Sequence, residues 1–304
     1  MKSSRNNYLI IVVTYNAEHW VDTFIQESGG VPQYNFIVVD NASTDKTTDI
    51  ISLKYPKVKL IKLNENLGFG RANNLGIEYG LNNGYEYFLL LNQDASISHS
   101  NVIKLIQFSK HTLDAGIVSP MQLANRNGDL EIGFAKYLTR KGNKEIGKIG
   151  GIEVSFVNAA IWLIPRNTLL KVGGFDPFYD HYGEDSDYVN RVVYHGLKVY
   201  VCSDSFGYHY RKQIKNRKKS SDIWLARYLV TILKNVRYNP IYAYMKMYYR
   251  SYQIITNKRK HSVSFIQVVT ALRRVHNALP KVMKQRYMSS KTGHTYLNLG
   301  DVNK

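Results

Sequence analysis

The sequence lacks several features that would place it outside the cell or across a membrane. Its 304 residues include one cysteine, Cys202, so no internal disulfide can form, which fits a reducing compartment. No apolar run approaches the roughly 18–20 residues that a membrane-spanning helix needs. Residues 1–7 are polar and lead directly into an apolar strand pattern, so we expect no signal peptide. These features favour a cytoplasmic protein.

Acidic residues are scarce in the last third of the chain. Residues 211–304 contain 21 Lys and Arg residues but only 2 Asp and Glu residues. Residues 1–210 contain 20 Lys and Arg residues and 21 Asp and Glu residues. We therefore predict a neutral domain over residues 1–210 and a basic, Tyr-rich helical extension over residues 211–304. The extension's charge favours a polyanionic partner, either an anionic membrane surface or nucleic acid. A helical subdomain packed on the first domain, or a homodimer interface, explains the same composition.

Predicted strands and helices alternate through about the first 120 residues. Apolar strand patterns cover residues 8–15, 35–40, 58–63 and 85–91, with a helical pattern after each. This order predicts a mostly parallel sheet flanked by helices, with ligands at the carboxyl ends of the strands. Polar residues follow those ends, although turn preference alone could place some of them there: Thr14, Tyr15, Asn16, Asp40, Asn41, Asn64, Asn92, Gln93 and Asp94. Farther along, we expect a mobile loop over residues 125–151 and a strand over residues 154–164.

The most concentrated acidic segment spans residues 174–187 and precedes an apolar-periodic run. This order places Glu184, Asp185 and Asp187 in the first turn of a helix, where the helix dipole favours a negative charge. A carboxylate held ionised in this way can act as a general base. An acidic helix cap without catalytic function is the alternative.

Three kinds of nucleotide-binding site compete as explanations of the polar residues at the strand ends. Residues 68–70 (GFG) lack the third glycine of a dinucleotide fingerprint and do not follow the first strand. No Gly-Lys-Ser/Thr phosphate loop is present. A nucleotide-sugar site needs an acidic residue for the base or ribose, an Asp near a divalent cation and a later carboxylate base, and the sequence offers all of these.

The sequence resembles the family 2 glycosyltransferases over about residues 7–210. The segments that carry the resemblance occur in the family's order: residues 13–16 (VTYN), 38–45 (VVDNASTD), 64–74 (NENLGFGRANN), 91–94 (LNQD), 173–176 (GGFD) and 183–187 (GEDSD). The bacterial rhamnosyltransferases of polysaccharide assembly are the most similar subgroup. The resemblance implies a GT-A fold and an inverting transfer from a nucleoside-diphosphate sugar.

The resemblance also assigns roles to residues. Asp185 would be the catalytic base, and Glu184, Asn158 and Trp162 would contact the acceptor, although Trp162 could equally belong to the core. Asp94 and His209 would hold Mg²⁺ or Mn²⁺, although a lone histidine between two tyrosines on a strand could equally have a structural role. The first Asp of the family's metal signature is Asn92 here, so the diphosphate and Asp94 would hold most of the cation. The residues expected to bind the nucleotide are Thr14, Tyr15, Asn16, Asp40, Asn41, Asn66, Gly68, Arg71 and Gln93.

The implied partners are a nucleoside-diphosphate sugar and a saccharide or lipid-linked acceptor of a bacterial surface polysaccharide. dTDP-rhamnose is the favoured donor, ahead of a UDP-hexose or UDP-galactofuranose. The basic extension would hold the enzyme at the inner face of the cell membrane, peripherally. Two other classes compete. A nucleic-acid-binding protein is disfavoured because residues 1–210 are neutral and carry no recognised motif. A nucleotidyltransferase is disfavoured because the first strand lacks a Gly- and Lys-rich triphosphate loop.

Overall fold

The computed structural model describes residues 7–140, 142–146, 150–179, 183–211, 222–256 and 263–299. Its strands are β1 Tyr8–Thr14, β2 Phe36–Asp40, β3 Lys59–Lys62, β4 Tyr87–Asn92, β5 Ala95–Ser96, β6 Ala115–Leu123, β7 Lys144–Ile146, β8 Gly151–Glu153, β9 Ile161–Pro165 and β10 Lys198–His209. Its α-helices are α1 Val21–Gln26, α2 Thr47–Lys54, α3 Phe69–Asn82, α4 His99–His111, α5 Ile132–Leu138, α6 Arg166–Val172, α7 Glu184–Tyr194, α8 Asp222–Lys234, α9 Pro240–Thr256, α10 Phe265–Asn277 and α11 Leu279–Ser290.

The strands form one sheet in the order β3-β2-β1-β4-β9-β6-β10-β8-β7, with β5 paired to the end of β10. β1 to β4 are mutually parallel, as their alternation with helices predicts. β9 runs antiparallel between β4 and β6. Both faces of the sheet are buried. Ile10 and Val12 of β1 belong to one apolar cluster, whereas Leu9 and Ile11, which alternate with them along the strand, belong to another. A strand that is buried on both faces has an apolar residue at nearly every position, and residues 8–13 have this pattern.

The structure corrects two predictions between residues 125 and 164. Residues 125–151 were expected to be a mobile loop, but they contain α5 and β7, and β7 pairs antiparallel with β8. Phe134 anchors α5 in the core, and the Glu131 side chain accepts from the Phe134 N–H at the start of the helix. The strand expected over residues 154–164 is shorter, because β9 begins only at Ile161. Residues 141 and 147–149 lie outside the described part of this segment.

The helices α8 to α11 enclose an apolar cluster of their own, as a helical extension requires. Leu225, Leu229 and Leu233 of α8 are buried in this cluster, while Tyr228 of the same helix is 36% exposed. α9 begins at Pro240, a residue that fits the first turn of a helix because its missing N–H would have no partner there. Across the described residues, no helix combines the length and apolarity that a bilayer crossing requires.

The end of the chain returns to the sheet domain. The Gly174 N–H donates to the Thr295 carbonyl at 2.8 Å, and the Asn74 side chain donates to the Tyr296 carbonyl at 3.1 Å. Gly173 has a φ of +85°, and a Cβ there would lie 2.1 Å from the Thr295 carbonyl oxygen. Glycine is therefore required at this position twice over, by conformation and by space.

Candidate active site

The loops after β1 and β2 are held together by buried polar side chains. Both carboxylate oxygens of Asp40 accept hydrogen bonds: Oδ1 from the Thr14 hydroxyl at 2.8 Å and Oδ2 from the Ser43 N–H at 2.9 Å. Asn41 accepts from the Leu67 N–H at 2.8 Å, which ties the loop after β2 to the loop before α3. Thr14, Asp40 and Asn41 are each at most 2% exposed. These buried side chains form a frame that fixes the positions of the loops at the strand-end edge, where the parallel strands of the sheet end.

A second group of the predicted nucleotide residues remains accessible on that frame. The Tyr15 ring is 48% exposed, while its backbone N–H donates to the Gln93 side-chain oxygen at 2.8 Å. This bond joins the loop after β1 to the loop after β4. Asn16 has a φ of +48°, a left-handed conformation that asparagine tolerates better than most residues. The Asn16 side chain accepts from the Thr44 N–H at 2.9 Å.

The start of α3 lies at the same edge, because α3 follows the carboxyl end of β3. The Asn66 side chain accepts from the Gly68 N–H at 2.9 Å, and the loop then enters the helix at Phe69. Arg71, in the first turn, donates from Nε and from a terminal nitrogen to the Pro177 carbonyl, at 3.1 and 2.9 Å. Arg71 thus connects the predicted nucleotide-binding loops to the acidic segment, a contact that the sequence does not reveal.

Asp94 and His209 are brought together by a strand pairing distant in sequence. β5 follows Asp94 directly and pairs antiparallel with β10, with Ala95 opposite His209. The His209 Nε2 atom lies 3.5 Å from Asp94 Oδ1. His209 is 3% exposed, and its Nδ1 atom is buried without a hydrogen-bond partner in the described structure. Asp94 is half-buried and lies at the strand-end edge.

The Asp94–His209 pair fits a divalent cation as a two-ligand site. Each ligand atom would lie about 2.1 Å from a shared cation, which is compatible with the observed 3.5 Å between them. The carboxylate is a ligand type that suits Mg²⁺ and Mn²⁺, and a neutral imidazole is a common metal ligand in proteins. Within the described residues, no group of three or more His, Cys, Asp or Glu side chains is arranged to hold a metal. The pair would therefore need further ligands other than His, Cys, Asp and Glu side chains of the described residues.

Glu184 and Asp185 begin α7, in the first turn where the sequence predicts them. Burial, together with the charge of Asp185, raises the pKa of Glu184 to about 7. Burial also raises the pKa of Asp185, although its side chain accepts from the Ser186 N–H at 2.7 Å. The Glu184 Oε2 atom is buried without a hydrogen-bond partner in the described structure. Asp185 therefore caps the helix through the Ser186 N–H, whereas capping does not account for the buried, unpartnered Oε2 atom of Glu184.

The acidic pair lies against the start of α3. A Cβ added to Gly70 would meet the Phe175 side chain at 3.0 Å and the Glu184 side chain at 3.8 Å. On another side, the charge of Asp185 contributes, after burial, to a raised pKa of Tyr137 in α5. The fold therefore places the pair between the predicted nucleotide-binding loops and α5, a helix where the sequence predicts a loop. Residues 180–182 of the acidic segment lie outside the described structure.

The two remaining predicted acceptor residues have different environments. Asn158 precedes β9, near the Asn92–Ala160 backbone hydrogen bond, and its Oδ1 atom is buried without a partner in the described structure. Trp162 is 0% exposed, and its ring packs against Phe175 and Tyr188 at centroid distances of 6.4 and 6.0 Å. Trp162 thus takes the core position that was its alternative, although its Nε1 atom is also buried without a partner in the described structure.

A buried charge cluster, which the sequence did not lead us to expect, includes Asp187 of the same helix as the acidic pair. Lys234, at the end of α8, pairs with Asp176 and lies 3.4 Å from Asp187 Oδ1. Arg191 pairs with the other Asp187 oxygen at 2.9 Å, and it also donates to the Gly174 carbonyl at 2.6 Å. All four charged side chains are at most 4% exposed. The signal that could have revealed the cluster is a lone lysine at the end of an otherwise apolar helix face.

Comparison with known sequences places this site in an enzyme family. Residues 9–173 match the sequence profile described as "Glycosyl transferase family 2". The chain is 35% identical over 105 residues to a dTDP-rhamnosyl transferase of Shigella flexneri, a match that covers 33% of each chain. It is 24% identical over 230 residues to an N-acetylglucosaminyl-diphospho-decaprenol L-rhamnosyltransferase of Mycobacterium tuberculosis, covering 66% of this chain and 75% of the relative.

Solved structures resemble the fold over nearly the whole chain. A mannosyltransferase from Pyrobaculum calidifontis, in complex with GDP-Man and Mn²⁺, has a TM-score of 0.56 at 17% identity and covers 91% of this chain and 76% of its own. S. aureus TarS 1–349, in complex with UDP-GlcNAc, has a TM-score of 0.57 at 15% identity and covers 93% and 90%. These likenesses confirm the predicted fold of the sheet and its helices.

Proposed function

Because this chain belongs to glycosyl transferase family 2 and has the GT-A fold, we propose that it is an inverting, metal-assisted glycosyltransferase that uses a nucleoside-diphosphate sugar. The observation that carries the proposal is the position of the Glu184–Asp185 turn. It packs against Gly70, at the start of α3, beside the edge that carries Tyr15, Gln93 and Asp94. A base and a donor site at one edge are what direct transfer requires.

On the donor side, the accessible residues would bind the nucleotide. The exposed Tyr15 ring can stack on the base, and Asn16, Asn66, Arg71 and Gln93 supply hydrogen-bonding groups around it. Thr14, Asp40, Asn41 and Gly68 would act by fixing the loops that carry this group. Asp94 and His209 would hold Mg²⁺ or Mn²⁺ together with the diphosphate oxygens. The cation, when bound, neutralises charge on the leaving diphosphate.

On the acceptor side, Asp185 would take the proton from the acceptor hydroxyl. The hydroxyl oxygen bonds to the anomeric carbon as the bond from that carbon to the diphosphate oxygen breaks on the opposite face. Configuration at the anomeric carbon therefore inverts in one step. Glu184 and Asn158 would orient the acceptor, since each has a buried oxygen without a protein partner in the described structure. Buried, unsatisfied polar atoms in a native structure favour a ligand contact.

The two curated relatives support dTDP-rhamnose as the donor, because both are described as rhamnosyl transferases. UDP-hexoses and UDP-galactofuranose are the alternatives. The acceptor we propose is a saccharide, free or lipid-linked, of a bacterial surface polysaccharide. The Shigella protein is matched over only a third of its length, so its donor guides this choice without fixing it.

We also propose that the helical extension holds the enzyme peripherally on the inner face of the cell membrane. α9 exposes Met245, Tyr249 and Tyr252 along one face, at 63%, 59% and 63%. Arg250 lies beside them in the same helix. Aromatic and apolar side chains next to basic ones suit the surface of an anionic bilayer. A homodimer through this face is the competing occupant.

Calorimetric titration with dTDP, UDP, GDP and NAD, each with and without Mn²⁺, tests the donor site. We expect selective binding of dTDP or UDP and tighter binding with Mn²⁺. Failure of all the nucleoside diphosphates to bind the folded protein would refute the enzyme assignment. Selective binding of GDP would refute the donor assignment alone.

Vesicle co-sedimentation tests the membrane surface. The Met245→Ser/Tyr249→Ser/Tyr252→Ser variant should lose most of its binding to phosphatidylglycerol vesicles. Leu113→Ser is the matched control, because Leu113 is 95% exposed on the sheet domain. Unchanged binding by the triple variant would contradict the proposal, and a concentration-dependent mass that the triple variant abolishes would indicate the dimer instead.

A further inference from the structure

A pocket of about 370 Å³ opens beside the acidic pair, between α7 and the helical extension. Gly183, which directly precedes Glu184, forms part of its wall, together with Ser186 and Asn190 of α7. The rest of the wall comes from α8, from Asn235 and Tyr238 beyond its end, and from α9. Its volume is in the range of a small-ligand site. None of the predicted nucleotide residues lines the pocket, whereas Gly183 and Ser186, on either side of the acidic pair in sequence, do.

The pocket wall is positively charged. Arg227, Lys246 and Arg250 line it, and none of the lining residues in the described part of the chain is Asp or Glu. Among the described residues, Lys246 and Arg250 contact neutral partners: the Lys246 ammonium donates to the Tyr238 hydroxyl at 2.7 Å, and Arg250 donates to the Gln253 side chain at 2.7 Å. The charge of Arg227 is close enough to Glu184 to oppose the rise in the pKa of that carboxyl. The positive field therefore extends from the pocket to the acidic pair.

The same wall carries groups that bind sugars. The Trp224 and Tyr228 rings stack with centroids 5.8 Å apart and planes 3° from parallel, and both residues line the pocket. Asn190 and Asn235 place side-chain amides in the wall. Flat aromatic faces pack against the C–H face of a sugar ring, while amides pair with its hydroxyls. A neutral sugar alone would not require three cations.

We propose that this pocket binds the acceptor through a phosphate or diphosphate attached to its sugar. The inference rests on the proposed function, since it assigns the acceptor class for the base Asp185. Lys246 and Arg250 would contact the phosphate oxygens, and the aromatic pair would contact the sugar next to them. The phosphate could belong to a lipid-linked sugar or to a soluble sugar phosphate, because both present the same oxygens.

The test compares sugars that differ only in the phosphate. The full-length protein, without nucleotide, is titrated with a panel of hexose and N-acetylhexosamine 1-phosphates and with the corresponding methyl glycosides. We expect at least one 1-phosphate to bind about tenfold or more tightly than its glycoside, a ratio typical of a charge-assisted hydrogen bond. Equal affinity throughout the panel would overturn the proposal.

Variants locate the phosphate contact. Lys246→Gln/Arg250→Gln should abolish the preference for the 1-phosphate and leave the affinity for the glycoside unchanged. Arg273→Gln/Lys284→Gln is the matched control: both side chains are exposed, and neither lines the pocket. Arg250→Gln alone, at an exposed side chain, covers the case in which the double variant misfolds, and should lower the preference in part. A preference that survives in a folded pocket variant, or that falls equally in the control, would refute the site.

Two further measurements are needed. One distinguishes a lipid-linked acceptor from a soluble sugar phosphate, and the other distinguishes failure of the pocket proposal from failure of the proposed function. A short-chain prenyl diphosphate sugar that binds more tightly than the sugar 1-phosphate indicates a lipid-linked acceptor, and equal binding indicates a soluble one. Nucleotide binding is measured separately on the same samples. Intact nucleoside-diphosphate binding without phosphate preference refutes the pocket alone, whereas a lack of nucleotide binding refutes the proposed function and leaves the sugar-phosphate measurement valid.

Discussion

Replacing Lys234 by methionine should destabilise the protein strongly. Lys234 is fully buried and pairs with Asp176, which is also fully buried, while its distance to Asp187 Oδ1 is 3.4 Å. The ammonium also lies 4.4 Å from the centre of the Tyr179 ring. Two cations, Lys234 and Arg191, balance two carboxylates in this cluster, so the substitution leaves one buried negative charge uncompensated.

The expected loss follows from that imbalance. Removing one partner of a buried ion pair costs about 3–5 kcal/mol, a large part of the roughly 5–15 kcal/mol that stabilises a typical domain. Methionine keeps the length and apolar volume of the lysine stem, so little of the loss should come from packing. Because Asp176 and Asp187 flank the acidic pair in sequence, the turnover number should fall as well.

Guanidinium denaturation followed by circular dichroism gives the free energy of unfolding. Arg237→Met is the matched control, because Arg237 is exposed just beyond α8, and it should change stability by less than about 0.5 kcal/mol. Adding Asp176→Asn to Lys234→Met should recover part of the loss, since it removes the stranded charge. A single variant within about 1 kcal/mol of wild type, where the pair was expected to cost 3–5, would refute the reasoning. A double variant no more stable than the single would also refute it.

Three further predictions concern the site itself. Asp185→Asn should abolish transfer yet leave nucleoside-diphosphate binding nearly intact, because the base acts on the acceptor; turnover at the wild-type rate would contradict the assignment. Glu184 has a pKa raised from 4.5 to about 7, so the folded state keeps a proton that the unfolded state releases, and stability falls as pH rises between these values. Glu184→Gln should therefore gain thermal stability relative to wild type from pH 4.5 to 7, and parallel melting profiles would exclude this. Asp94→Asn and His209→Ala should each weaken Mn²⁺ binding in the presence of dTDP, measured by electron paramagnetic resonance, about tenfold or more; Mn²⁺ affinity equal to wild type in both would remove the pair as ligands.

Local patterns were sufficient for the parts of the fold whose residues lie close in sequence. Four apolar strands alternating with helices predict a parallel sheet with its polar strand ends on one edge, and the structure has both. The acidic first turn of α7 was equally predictable, because a carboxylate near a helix N-terminus is favoured by the helix dipole. α5 was not predicted because only one of its seven residues, Phe134, is buried, so the helix has no repeated pattern of buried positions for the sequence to reveal.

The sequence by itself determined which chemical groups are available, and the tertiary structure decided which of them meet. Through their resemblance to the family 2 glycosyltransferases, the sequence motifs already predict a sugar-nucleotide enzyme with a carboxylate base. Only the pairing of β5 with β10 brings His209 to Asp94, across more than 100 residues of chain. Likewise, only the packing of α8 carries Lys234 to Asp176 and opens a basic pocket beside the acidic pair. These contacts depend on long-range burial, which no local pattern encodes, because their free energy exists only once the chain has folded.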